Sequence, residues 1–244
     1  HSLMVAIHHV IADGISMGLF HAELWQYYRD GDAGIRPNRE YLSYTQAMSD
    51  SARFQGELEF WQKVVSQSAT RVAVDQSEGA NDFASERTFE RTIELNEWVG
   101  GVPNAVGNLM PALMIALAGQ VGRWNDTTKP TLALRLHRRS GLGARYGAVL
   151  GCFAGDIPFG VDLEAKTDLG GTVQAVQAVP SSGNGYDVLV ADGQLPTAAE
   201  TTQVRLNFQP LAGMEDRVIR SIVVQAPERP RRYLLDWIVR VGSD

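Results

Sequence analysis

His8-His9-Val10-Ile11-Ala12-Asp13-Gly14 is the stretch on which the reading of this chain turns. It follows an apolar run, Leu3 to Ile7, which predicts a short buried strand ending at the two histidines. Beyond it, Met17, Phe20, Leu24 and Tyr27 recur at helical spacing up to Gly31, with Ser16 as the expected N-cap. Strand, tight turn and helix therefore follow in order. A histidine on such a turn presents one imidazole nitrogen to a cleft, and imidazole titrates close enough to neutrality to move a proton. Asp13 is placed to fold back and fix the loop, and Gly14 to supply a backbone angle that other residues resist. The motif reads as a general-base or proton-transfer loop carried by a rigid strand.

Other readings of the same residues compete with this one. Adjacent histidines suggest a metal pair, but successive strand residues point to opposite faces, which disfavours chelation by both. A purely structural histidine turn is a further alternative, and a Ser-His-Asp triad is disfavoured for want of a recognised Gly-x-Ser-x-Gly elbow to offer a nucleophile. Cys152 lies among Val149, Leu150 and Phe153, surroundings expected of an inert buried thiol rather than a nucleophile. As the single cysteine of the chain it forms no internal disulfide and no cysteine-based zinc site.

A chain of 244 residues is long enough to bury a core without such staples. The 22 basic residues are outnumbered by 28 acidic ones and form no block, so neither nucleic acid nor a membrane surface is an expected partner. No run approaches the roughly 18 to 20 apolar residues of a membrane span, and no signal peptide opens the chain. A cytoplasmic setting is the expectation.

Along the rest of the chain, residues 31–40 read as a loop, and Tyr44, Met48, Leu58, Trp61 and Val65 predict one or two helices through about residue 66. A polar surface segment is expected over 67–87, and Phe89, Ile93 and Leu95 alternate as in a half-exposed strand. Asn108 is the expected cap of a helix with Pro111 in its first turn and an apolar stripe of Leu113, Met114, Leu117, Val121 and Trp124. Leu132, Leu134 and Leu136 predict a strand leading into the basic, Gly-rich loop from Arg138 to Tyr146. A strand within 148–162, a helix over 168–179, a Ser-Ser-Gly-Asn-Gly loop and β-rich stretches near 203–209, 217–225 and 232–241 complete the pattern. Strands interleaved with helices make the class α/β or α+β.

The motif at 8–14, continuing as Ile15-Ser16-Met17-Gly18, resembles the core motif of condensation domains from nonribosomal peptide synthetases, within the chloramphenicol acetyltransferase-like acyltransferases. Tyr41-Leu42-Ser43-Tyr44, Phe60-Trp61, a strand ending near Arg139, Gly151-Cys152-Phe153 leading to Asp156-Ile157-Pro158, and Arg205-Leu206-Asn207-Phe208 follow in the family's order. The resemblance implies an α/β fold of the two-layer α+β sandwich type. It implies the end of a first lobe over 1–65 and a second lobe over 66–244 of a V-shaped pseudo-dimer. It further implies that His9 acts on the attacking amine, by deprotonating it or by orienting it and stabilising the tetrahedral intermediate. His8, Asp13 and Gly14 complete the catalytic motif, with Asp13 mainly shaping the loop through Arg139. Ser16 and Asn207 are implied substrate contacts, Asn207 facing a tunnel. For Arg139 and Asn207 the alternatives are a surface cation and an ordinary strand residue.

The implied reaction joins a carrier-bound acyl or peptidyl thioester to an acceptor amine, giving an amide, or an ester in a variant of the chemistry. The implied partners are acyl or peptidyl carrier proteins and adjacent adenylation or synthetase modules. No intrinsic cofactor is expected, because the phosphopantetheine arm belongs to the carrier. Val179-Pro180 with Gly183-Asn184-Gly185-Tyr186, and Arg232-Tyr233-Leu234-Leu235, instead resemble the sister epimerization domains. Those need a second acid/base, a glutamate where this chain has Arg135, and no Glu lies between Asn125 and Gly160. A catalytically idle recruitment domain is the remaining alternative. Because the resembled domain is considerably longer, a missing N-terminal half is also an expectation.

Overall fold

Alternating side chains on four strands build the centre of the molecule. A computed structural model describes residues 3–31, 39–67, 71–72, 74, 79–94, 105–139, 144–164, 169–210 and 225–241. Strands β1 (Thr131–Leu136), β2 (Gly155–Gly160), β3 (Val204–Pro210) and β4 (Leu235–Val241) form a mixed sheet in the order β2-β1-β3-β4. β1 pairs antiparallel with β2 and parallel with β3, and β3 runs parallel to β4. Leu134 lies opposite Ile157 on one side and Leu206 on the other, so three fully buried side chains line up across the sheet.

Seven α-helices accompany the sheet among the described residues: α1 (Gly14–Asp30), α2 (Glu40–Met48), α3 (Leu58–Ser66), α4 (Ala105–Trp124), α5 (Leu169–Gln177), α6 (Asn184–Ala191) and α7 (Ala198–Thr201). The core cluster joins Met114, Leu117, Ala118 and Val121 of α4 with Trp61 of α3, Tyr186 and Leu189 of α6, and the three sheet residues above. Fully burying that many large side chains is the main favourable term in folding. A second cluster packs Tyr44 of α2 against Tyr146, Val149 and Phe153, with ring centroids 4.5 Å apart for Tyr44 and Phe153. This aromatic cluster underlies the histidine motif.

Several sequence expectations change here. Residues 3–8 form no strand: they pair with no other segment among the described residues, and Leu3 and Met4 are 74% and 93% exposed. An apolar run has strand propensity only where a neighbour completes its ladder. Residues 86–94 are likewise not a strand, and Phe89 is 95% exposed; Leu95 and the stretch 217–224 lie outside the described residues. Helix α4 begins at Ala105, so Pro111 falls inside it rather than in its first turn. The strand expected within 148–162 is confined to β2. The Ser-Ser-Gly-Asn-Gly segment keeps its expected turn at Ser181, Ser182 and Gly183, whose φ values of +46°, +52° and +82° are left-handed, and only Asn184 and Gly185 join α6, in which Tyr186 and Leu189 are buried.

Candidate active site

Asp13, not Ser16, caps α1. Its Oδ1 accepts the Ser16 amide at 2.8 Å, which satisfies a donor that the first helical turn leaves free. At the other end Gly31 closes the helix with φ +78°, a conformation that costs glycine little. Gly14 is simply the first helical residue. It has no positive φ and nothing within contact of an added Cβ, so the expected special backbone angle is absent.

The same aspartate ties the turn to two remote segments. Its Oδ2 accepts the Phe153 amide at 3.0 Å, and its own amide donates to the Gly151 carbonyl at 3.2 Å. Arg139 Nη2 donates to Oδ1 at 2.6 Å, and both side chains are buried. Arg139 Nη1 donates to the carbonyls of Val149 at 2.6 Å and Tyr146 at 3.2 Å, and its guanidinium lies 4.2 Å from the Phe153 ring centroid. Arg139 is therefore no surface cation. Burial alone pushes the Asp13 carboxyl up, but the Ser16 and Phe153 amides and the Arg139 charge outweigh it and hold it below the usual carboxylate range.

Ser16 shares this junction. Its hydroxyl donates to the Gly151 carbonyl at 2.6 Å while accepting from the Gly151 amide and from Arg139 Nη2, both at 2.9 Å. One donor and two acceptor positions are all that a hydroxyl has. Ser16, expected to contact substrate, is instead buried and fully engaged in holding the loop. Gly14-Ile15-Ser16-Met17-Gly18 also spells the Gly-x-Ser-x-Gly string of a nucleophile elbow, which the sequence reading passed over. Within a helical first turn and with its oxygen saturated, this serine is no nucleophile.

The histidines stand on the outer side of this support. The Ile11 amide donates to the His8 carbonyl at 3.1 Å, closing a turn, and His8 Nδ1 accepts the Val10 amide at 3.1 Å. Both imidazoles are exposed. His9 Nδ1 lies 3.9 Å from Cys152 Sγ. Tyr41 spans the two segments, its hydroxyl lying 3.3 Å from the Val10 carbonyl and 3.2 Å from the Cys152 carbonyl. The Tyr41 ring leaves no room for a side chain at Gly151. Cys152 is half-buried, and burial, reinforced by the Asp13 charge, pushes its thiol up. It stays protonated near neutrality, as expected of an unactivated thiol.

Asn207 sits half-buried on β3 opposite Ile238, and the described hydrogen bonds do not join it to the histidine turn. Strand alternation puts it on the face that carries Arg205. That face holds a polar network which the sequence reading missed. Arg135 makes two bonds to Asp156, at 2.6 and 3.2 Å, Arg205 bridges Asp156 and Asp236, and the Tyr233 hydroxyl donates to Asp156 at 3.0 Å. Arg138, next to Arg139, is separately buried against Asp187. Among the described residues no group of three or more His, Cys, Asp and Glu is placed to hold a metal ion, and no helix is long and apolar enough to cross a membrane.

The fold and this loop are shared with condensation-type domains. The Condensation domain family model matches residues 1–224, and the chain belongs to that family. It is 22% identical to bacitracin synthase 1 of Bacillus licheniformis over 264 residues, covering 98% of this chain and 5% of that protein. It is 27% identical to N-(5-amino-5-carboxypentanoyl)-L-cysteinyl-D-valine synthase of Amycolatopsis lactamdurans over 206 residues, covering 80% of this chain and 5% of that protein. Among solved structures it resembles the epimerization domain from the third module of tyrocidine synthetase B, with TM-score 0.71 and 19% identity over 96% of this chain and 59% of that one. The chain thus spans a small part of these synthetases and about three fifths of that domain. These likenesses show an α/β fold shared by condensation and epimerization domains.

Proposed function

We propose that the chain carries the catalytic loop and second lobe of a peptide-bond-forming condensation centre. An acceptor amine attacks the carbonyl carbon of a carrier-bound acyl or peptidyl thioester; the C–N bond forms, the C–S bond breaks, and the phosphopantetheine thiol of the carrier leaves. An alcohol in place of the amine gives an ester by the same sequence. His9 acts on the attacking group, taking its proton or holding it in line while the tetrahedral intermediate forms. The carrying observation is that His9 is exposed on a turn whose back is locked by the buried Asp13–Arg139 pair. His8 shapes the turn through the Val10 amide, Gly14 opens the helix that follows it, and Asn207 is a proposed contact for substrate or the pantetheine arm.

Residues 1–65 are read as the end of a first lobe and 66–244 as the second. The partners are carrier proteins and neighbouring synthetase modules, and the setting is cytoplasmic. Exposed Leu3, Met4, Val10 and Ile11, together with an apolar cavity of about 160 Å³ lined by Ile7, Ile11, Met17, Phe20 and Leu150, fit the remaining portion of the family domain. Epimerization needs a second acid/base, and the position where the family supplies its glutamate holds Arg135, bound to Asp156.

The test is product formation from carrier-loaded donor and acceptor thioesters with His9→Ala. Loss of product with carrier binding retained is expected, and an unchanged yield refutes catalysis in favour of recruitment. Solvent deuterium entering the α-carbon of a carrier-bound aminoacyl group decides for epimerization instead.

A further inference from the structure

Asp13 does not reach His9: its carboxylate is committed to Ser16, Phe153 and Arg139. The group that does meet the imidazole is the Cys152 thiol, 3.9 Å from Nδ1. Cys152 is also the best-anchored point beside the turn. The preceding residue, Gly151, has both its amide and its carbonyl bound to Ser16 Oγ, at 2.9 and 2.6 Å. The following residue, Phe153, donates its amide to Asp13 Oδ2 at 3.0 Å. The Cys152 carbonyl itself lies 3.2 Å from the Tyr41 hydroxyl. The backbone that carries the thiol is therefore held on both sides of Cys152.

The geometry points to Cys152 as a positioning residue: through Nδ1 it sets the ring orientation of His9, and so the direction in which Nε2 meets the reacting groups. This rests on the proposed role of His9. The Asp13–Arg139–Ser16 junction then has a purpose beyond capping α1, because it holds the 151–153 segment from which the thiol reaches the imidazole. The pair is not a thiolate–imidazolium couple. Burial keeps the thiol protonated, so it meets His9 as a neutral, weak hydrogen-bonding partner. A serine hydroxyl at this position substitutes for that partner, whereas alanine or valine removes it.

The experiment uses the uniformly ¹⁵N-labelled chain and compares Cys152→Ala, Cys152→Val and Cys152→Ser. The His9 ring signals are identified by their loss in His9→Ala. They are expected to shift in the alanine and valine variants and to stay near their original positions in the serine variant, with the Ser16 and Phe153 amide signals unmoved throughout. In condensation assays the alanine variant is expected to lower kcat about tenfold with KM within about twofold, and serine to restore most of the loss. The valine variant carries the test if alanine does not fold. His9 ring signals identical in the wild type and both apolar variants overturn the proposal. Activity retained by His9→Ala overturns the condensation reading instead, while the ring signals still judge the positioning.

Discussion

Two ends of one short motif behave as opposites. At Asp13 every polar atom is bound, the carboxylate is buried, and its cation comes from a segment 126 positions away. At His9 the ring is exposed and its described contact is one weak interaction with sulfur. The lesson is a division of labour. Charge is neutralised and fixed where the chain must not move, and a titratable ring stands free where chemistry needs access to it.

Separate stability and activity measurements test that division. Asp13→Ala leaves the Arg139 charge buried without its partner and is expected to cost about 3–5 kcal/mol in denaturant unfolding. Replacing Arg139 by Leu in the same chain should recover part of that loss. His9→Ala is expected to lower kcat by about 10²–10⁴ with an unchanged melting temperature; destabilisation on the scale of Asp13→Ala would break the comparison. Gly151→Ala drives a methyl into the Tyr41 ring and should cost about 1–3 kcal/mol, with activity falling alongside stability.

Acid sharpens the contrast further. The Asp13 carboxyl lies below its unfolded value of about 3.9, so its contribution is complete above that pH and is lost as pH falls through the lower, folded value. Unfolding measured from pH 6 downward should show this loss in the wild type and not in Asp13→Asn. The smallest effect is that of Tyr41→Phe, about 0.5–1.5 kcal/mol for the hydroxyl that ties Val10 to Cys152.

Where an element is defined by its own residues, the sequence was legible. The stripe of α4, the Leu132 and Leu134 strand and the Gly31 stop all follow local periodicity or backbone preference. Where an element needs a distant partner, periodicity misled. Leu3 to Ile7 has the composition of a strand but no ladder among the described residues. The site shows the same limit. Asp13 and Arg139 were coupled through family resemblance, since no spacing rule links them. The meeting of Cys152 with His9 across 143 positions, and the Arg135–Asp156–Arg205 network, left no local trace to read.

Ser16 has a consequence in folding time. Its hydroxyl closes on Gly151 across 135 positions and on Arg139 across 123, contacts whose loop-closure entropy is met only after the intervening segments have condensed. The histidine turn is therefore expected to lock late, after the sheet. Pulsed hydrogen exchange checks this: the Phe153 amide should become protected after those of β1, and earlier protection would reverse the order. A partly folded chain would then display its histidines without holding them in place, so catalytic competence would mark the completion of folding.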